Sequence, residues 1–295
     1  MINSINAILD KLDYKPDPND IRLAEFFNEN GYCVLPKSAL LSENLDEYRK
    51  IIDSLIEKES WRGGWEGKEE YMKYQKKFQQ GTYRLGNLFN KNKLFLKLLC
   101  EKNILKVVYA ILGDDMKIGA LDFREPLKGK GLQDLHIDWV PKKNENDKVQ
   151  NIVCYIPLDD TNKNNGALRI VPKTHKKIGW IDEHQKDKSS HPDEEIVSVK
   201  AGSILLMDAN LWHSGTSNIS GTRRRVLYMD IRRRDMAQLL NQRIYLDEIT
   251  QEKLDDVEKY LLGVGNNDKI YEDRVHTAGN IYRKEFKTNE FVKQQ

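Results

Sequence analysis

His136 and Asp138 stand two residues apart in the segment LHIDW, 135–139. On an extended strand, side chains at i and i+2 leave the same face, so an imidazole and a carboxylate there aim at one point. A metal ion needs donors that converge from a stiff backbone, and a third donor must come from elsewhere in the fold. The chain has six histidines. His184 and His191 lie in a charged stretch, His276 in the polar C-terminal part, and His175 just after the turn segment VPKT. His213 differs from them. It closes the apolar run SILLMDANLW and precedes SGTSN, at the lip of a core strand. Two imidazoles and one carboxylate occupy one face of a metal and leave the other positions open, the donor set of non-haem Fe(II) oxygenases that bind O₂. Such chemistry needs two further electrons. A dicarboxylic oxoacid would chelate iron at one end and require a fixed cation at the other. Arg223, Arg224 and Arg225 begin the strand after the His213 turn. A planar, permanently charged fork suits a terminal carboxylate better than lysine does. Each feature alone is weak: His-x-Asp recurs by chance, and a basic strand is commonly a solvated one. The ordered set of His-x-Asp, turn segment, His and Arg carries the argument.

The elements that must hold these residues are read from periodicity. Residues 11–20, with two prolines, read as a polar lead-in. Asp20 then caps a helix that Gly31 ends, and Tyr32 to Leu35 forms a short strand. Apolar spacing predicts helices over 43–58 and 92–112, the second closed by Gly113. Alternation predicts strands over 116–124, 132–138, 151–158, 167–171, 196–200, 203–208 and 224–232, with loops at 141–150, 159–166 and 181–195. Helical spacing returns over 235–244 and 249–262. Many short strands between turn-rich loops indicate a mainly β fold with flanking helices, a double-stranded β-helix or jelly roll. The expectation is one domain over 1–295 with its β core at about 115–234.

Composition narrows the function classes. Lys and Arg number 48 against 46 Asp and Glu, a formal net charge of +2. That balance argues against phosphate neutralisation as the main task, so no nucleic-acid partner is expected. The stretch 223–234 holds six arginines and one aspartate. Alternate residues of one strand do not share a surface, however, and it makes no basic patch. Cys33, Cys100 and Cys154 are scattered, with no CxxC, which argues against a disulfide framework and for a reducing compartment. No apolar run reaches membrane-span length, and the first residues lack the pattern of a secretory signal. A cytoplasmic protein acting on a small molecule, with no membrane partner, is the resulting expectation.

From about Ile21 to about Arg234 the chain resembles the phytanoyl-CoA dioxygenase-like branch of the Fe(II)/2-oxoglutarate dioxygenases. LHIDW matches its HxD segment. IPLDDTNKNNGALRIVPKTHK (156–176) matches its strand–turn–strand signature, and KAGSILLMDANLWHSGTSNISGTRRR (200–225) the segment bearing the distal histidine and the co-substrate arginine. ENGYCVLP (29–36) is similar to its helix–Gly–strand opening. The resemblance implies His136, Asp138 and His213 as ligands of Fe(II), and 2-oxoglutarate as co-substrate beside O₂. The family's carboxylate-binding arginine lies eleven residues after the distal histidine, which is Arg224 here, and period-two alternation also separates it from Arg223 and Arg225. Asn165–Gly166 and Pro172–His175 are given turn-making roles.

Two departures stand out. Many members carry a hydroxyl residue two after the distal histidine, where this chain has Gly215 between Ser214 and Thr216. Many also have a polar residue between the HxD ligands, where this chain has Ile137. Asp138 is kept, whereas halogenating relatives replace it with a small residue, so hydroxylation of a small polar or anionic metabolite is the implied reaction. Arg124 is a candidate to meet an anionic group of the substrate, with a surface strand cation as the competing account. Trp139 is a candidate pocket wall, with core packing as its competitor. The segment 61–90, with Trp61, Trp65, Tyr71, Tyr74, Tyr83 and Arg84, reads as a substrate lid or a packed connector. A jelly-roll protein that holds a metal or ligand without turnover is the alternative function class.

Overall fold

The computed structural model of the chain describes residues 2–60, 81–113, 116–236, 238, 240 and 242–264. It opens with helix α1 (Ile5–Leu12), capped by the Ser4 hydroxyl. Helix α2 (Pro18–Asn30) follows. Its N-cap is Asp17, three residues earlier than expected, and Asp20 returns a bond to the Asp17 N–H at 2.8 Å as the third residue of a capping box. Both aspartates can cap; Pro18 at the first helical position decides between them, because its missing N–H and fixed φ suit that place. The lead-in read over 11–20 is thus the end of one helix and the start of the next. Gly31, at φ 86°, ends α2 as expected.

Strand β1 (Tyr32–Leu35) and helix α3 (Ala39–Glu59) follow. Strand β2 (Thr82–Leu85) carries Tyr83 and Arg84. Residues 61–80 of the proposed lid, with Trp61, Trp65, Tyr71 and Tyr74, lie outside the described residues. The helix expected over 92–112 is broken into α4 (Lys93–Leu96), a 3₁₀ turn and α5 (Lys102–Leu112). The Glu101 carboxylate accepts the Ile104 N–H at 2.8 Å and starts α5 afresh.

The remaining strands are β3 (Met116–Pro126), β4 (Asn151–Pro157), β5 (Leu168–Val171), β6 (Glu195–Val197), β7 (Ile204–Asp208), β8 (Trp212–Gly215) and β9 (Val226–Arg233). Helix α6 (Ile181–His184) lies between β5 and β6; α7 (Gln242–Tyr245), α8 (Glu248–Lys253) and α9 (Asp256–Leu261) follow β9. Residues 235–241 carry no helix among the described positions, a shorter helical return than periodicity suggested.

Six strands form one sheet in the order β1-β7-β4-β9-β3-β2, and three form a second, β6-β5-β8, with antiparallel pairing throughout. This is the expected double-stranded β-helix. Alternation sorts its large sheet into two faces. Ile152, Cys154, Ile156, Leu227, Met229 and Ile231 face outward into one cluster with the helices. Val153, Tyr155, Leu205, Met207 and Val226 face inward and meet Leu168 and Ile170 of the second sheet. Each such aliphatic side chain contributes on the order of 2 kcal/mol by leaving water.

Two local differences from the sequence reading bear on the site. No strand forms over 132–138; the segment meets β8 through one isolated bridge, His136↔His213. Gly129 and Gly131, at φ 71° and 100°, turn the preceding chain through left-handed backbone and prevent a ladder. The strand expected over 203–208 is β7, and His213 lies on a further strand, β8, that alternation did not predict. The Asp208 carboxylate accepts the Asn210 N–H at 2.8 Å and makes the turn between β7 and β8.

Candidate metal centre

The bridge between His136 and His213 is reciprocal. His136 N–H donates to the His213 carbonyl at 3.0 Å, and His213 N–H to the His136 carbonyl at 3.1 Å. The Asp138 N–H donates to the Ala209 carbonyl at 2.7 Å, so the aspartate is tied to the turn that launches β8. These three bonds bring together side chains far apart in sequence. One donor atom from each of His136, Asp138 and His213 lies within 4.8 Å of the other two. Asp138 Oδ2 is 3.3 Å from His213 Nε2, and Asp138 Oδ1 is 3.7 Å from His136 Nε2.

Two of the three groups, His136 and Asp138, stand in the protonation form a cation needs, and His213 is paired with Asp138. Each imidazole Nδ1 lies 2.8 Å from a backbone carbonyl, Asp134 for His136 and Leu211 for His213. A carbonyl only accepts, so Nδ1 carries the proton and Nε2 is left to face Asp138. Desolvation, and then the neighbouring His213, push the His136 imidazole down to about 4, so its Nε2 presents a lone pair at neutral pH. Desolvation would raise the Asp138 carboxyl, but the His213 and His136 imidazoles and Arg124 together outweigh it and hold Asp138 well below the usual carboxylate range. Desolvation would likewise lower His213, and Asp138 outweighs it to raise that imidazole. A lone pair facing a carboxylate at 3.7 Å is repulsive unless a cation lies between them. His213 is almost fully buried at 6% exposure, whereas the His136 and Asp138 side chains keep 33% and 41%, so the cluster opens on one side.

The three consecutive arginines point to different places. Arg223 pairs with Glu125 and, at 2.7 Å, with Asp53 of α3. Arg225 pairs with Asp159 and Asp53, both at 2.9 Å. Arg224 lies between them, 4% exposed. Its guanidinium stacks 5.3 Å from the Tyr155 ring, its Nε has no hydrogen-bond partner, and no carboxylate of the described residues pairs with it. Arg124 lies 5.6 Å from the centre of the Tyr228 ring, and its charge acts on all three members of the His-Asp-His cluster. Its cross-strand neighbour is Arg84. Trp139 is 4% exposed and packs in the core between the sheets. Its indole N–H donates to Gln150 at 2.9 Å, and Arg232 lies 4.4 Å over its ring.

Sequence reasoning missed Arg169, on β5. It is 5% exposed and fully occupied. Nε donates to Ser214 Oγ at 2.5 Å, Nη1 to the Ser189 carbonyl at 2.7 Å and to Glu194 at 3.0 Å, and Nη2 to the Gln133 carbonyl at 2.8 Å. It therefore ties the residue after His213 to a residue three before His136. Its signal was a lone charge inside the apolar strand LRIV. Gly215 also gains a reason: a Cβ there would lie 3.0 Å from the Gly131 carbonyl oxygen and 3.2 Å from Gln133 Oε1, so the close approach of the HxD segment disfavours a side chain.

Comparison with known proteins matches the family model for phytanoyl-CoA dioxygenase (PhyH) to residues 27–226. An ectoine dioxygenase of Stutzerimonas stutzeri (strain A1501) is 24% identical, over 75% of this chain and 80% of its own length. Among solved structures, HygX from Streptomyces hygroscopicus with nickel and 2-oxoglutarate bound superposes with a TM-score of 0.59 at 15% identity, covering 74% of this chain and 88% of its own. The non-heme alpha ketoglutarate dependent carbocyclase SnoK from nogalamycin biosynthesis gives 0.57 at 18%, covering 72% and 84%.

Proposed function

The chain belongs to the phytanoyl-CoA dioxygenase (PhyH) family, and from that membership we propose that it hydroxylates an unactivated C–H bond of a small polar or anionic metabolite, with 2-oxoglutarate consumed to succinate and CO₂. It is an Fe(II)/2-oxoglutarate-dependent oxygenase. His136, Asp138 and His213 are the residues that would hold the iron, and Arg224 the one that would hold the far carboxylate of 2-oxoglutarate. Bound together, ferrous iron and 2-oxoglutarate supply the activation of O₂ that C–H hydroxylation requires. The protein's part is placement. The two Nδ1–H bonds fix the rotation of both imidazoles and keep Nε2 aimed at the metal position. The inward apolar cluster behind them excludes water from the reacting side. Arg124, beside the cluster and without a carboxylate partner among the described residues, is placed to orient an anionic group of the substrate. Trp139 serves the site from behind, by packing.

The observation that carries the reading is a three-donor cluster in the same barrel as a buried arginine whose guanidinium pairs with no carboxylate of the described residues. The test mixes purified protein with Fe(II), ascorbate and 2-oxoglutarate in air, with a substrate panel, and measures succinate and product mass. The expected result is succinate matched to a gain of one oxygen, unaffected by chloride and abolished in His136→Ala. Equal background from wild type and variant across the panel would overturn the proposal.

A further inference from the structure

Arg224 stands just outside the sheet. The first cross-strand pairs of β9 join Val226 to Pro157 on one side and to Arg124 on the other, so residues 223–225 enter the barrel without a ladder. Backbone groups outside a ladder must find other partners, and a side chain is placed only as well as the backbone that carries it. Carboxylates supply those partners here. The Arg224 N–H donates to Glu125 Oε1 at 3.3 Å, its one backbone hydrogen bond among the described residues. The Arg225 N–H donates to Asp159 Oδ2 at 2.9 Å, and the Arg225 carbonyl accepts the Leu158 N–H at 2.8 Å.

Glu125 has a double task. It lies near the end of β3, 3% exposed, next to Arg124 but on the other face of the strand, which it shares with Phe123 of the outer cluster. Its carboxylate takes Arg223 as a fork: Oε1 accepts Nε, and Oε2 accepts Nη2 at 2.8 Å. The same Oε1 accepts the Arg224 amide. On the other flank Arg225 forms a fork with Asp159, both bonds at 2.9 Å. Asp53 of α3 joins the flanks, with Oδ1 on Arg223 at 2.7 Å and Oδ2 on Arg225 at 2.9 Å. The two flanking side chains are thus gathered outside the barrel, and the residue between them turns inward against Tyr155. An ion pair that only stabilised the fold would need the Arg223 guanidinium alone. The shared oxygen reaches the backbone of the neighbouring residue as well.

We propose that Glu125 is a positioning residue of the co-substrate site: by holding the Arg224 amide it fixes the point from which that guanidinium reaches the far carboxylate of 2-oxoglutarate. The inference rests on the Arg224 reading above and extends it to a side chain that does not touch the ligand. Arg223 keeps the Glu125 carboxylate aimed, and Asp53 braces the pair from α3. Loss of the Arg223 guanidinium alone leaves the bond from Glu125 to the Arg224 amide standing.

The test is calorimetric titration of the Ni(II)-loaded protein, without O₂, with 2-oxoglutarate and with 2-oxovalerate, which has the same chain length but no terminal carboxylate. Glu125→Leu removes the acceptor, Glu125→Gln keeps an acceptor oxygen without the charge, and thermal unfolding of each is compared with wild type. The expected result is about tenfold weaker 2-oxoglutarate binding in Glu125→Leu, recovery to within about threefold of wild type in Glu125→Gln, and unchanged 2-oxovalerate binding in both. In an Arg224→Ala background Glu125→Leu is expected to weaken 2-oxoglutarate no further, because the two residues act as one. An equal loss for both acids would make Glu125 a packing residue and overturn the proposal, as would no loss for either, or the same tenfold step in the Arg224→Ala background. Should Glu125→Leu unfold early, Glu125→Asp decides. It keeps the charge but falls one methylene short of the amide, so the same selective loss is expected, and wild-type binding overturns the proposal. A wild type that binds 2-oxoglutarate no better than 2-oxovalerate would instead remove the Arg224 reading on which the inference rests.

Discussion

Arg169 and Arg224 are almost equally buried, at 5% and 4% exposure, yet their surroundings are opposite. Arg169 meets a hydroxyl, two carbonyls and a carboxylate from three separate segments. The Arg224 guanidinium lies against Tyr155 and Tyr228 and pairs with no carboxylate of the described residues. A saturated buried charge belongs to the scaffold, whereas an unsaturated one marks the place where something else must bind. Asp208, at the end of β7, completes the contrast. It too is buried, with Oδ2 lacking a partner, but a carboxylic acid can take up a proton, and desolvation pushes its carboxyl up to about 6. Arginine has no such escape, because its guanidinium stays charged at any ordinary pH.

The comparison breaks first at Arg224. Arg224→Ala is expected to raise the 2-oxoglutarate concentration for half-maximal turnover by about two orders of magnitude, the effect of removing about 3 kcal/mol of buried charge pairing. Arg223→Ala and Arg225→Ala, whose guanidiniums pair with Glu125 of β3, Asp159 and Asp53 of α3, are expected to change it by less than about threefold. Succinate titrations on the three variants check this, and equal effects would erase the distinction.

Arg169→Met should show the reverse pattern. Removing one partner of a satisfied buried pair costs about 3 kcal/mol of stability, a fall in Tm of roughly 6–10 °C. Because Ser214 and Gln133 then lose their common tie, Ni(II) affinity should fall as well, while the 2-oxoglutarate constant measured at saturating metal stays near wild type. Arg169→Lys is expected to recover only part of either loss, since an ammonium cannot span the three segments.

The smallest and most pH-dependent effect belongs to Asp208. Its folded pKa, about 6, lies above the ordinary 3.8, so its favourable contribution is complete below about pH 4 and is lost as pH rises through 6. Denaturant titrations of wild type and Asp208→Asn should therefore diverge in favour of the variant by roughly 2–3 kcal/mol between pH 4 and pH 7. Parallel curves would mean that the carboxyl is not raised.

Much of this was legible in the chain. Tyr32 to Leu35 is a strand with the expected ends, because Gly31 and Pro36 punctuate it. The inward and outward faces of β4 and β9 follow from alternation alone. The order of motifs gave the family and the cluster residues. Two aspartates at 17 and 20 can cap the same helix, and only the position of Pro18 decides which does. The break at Glu101 is a side-chain capping event inside a continuous apolar pattern, which periodicity does not register. The HxD segment looks like a strand by composition, but left-handed glycines upstream leave it a single bridge. Arg169 was missed because its meaning depends on which hydrogen bonds it makes, and no residue type announces that.

That single bridge has a mechanical consequence. The rim carrying His136 and Asp138 is fastened to β8 by a few peptide hydrogen bonds and by the Arg169 tie, not by a ladder of sheet. An ion shared by the three side chains would act as a rivet across this seam, stiffening the barrel's entrance as well as filling it. Amide exchange at His136, Asp138 and His213 would then report occupancy directly, slowing when the rivet is in place and quickening when a chelator draws it out.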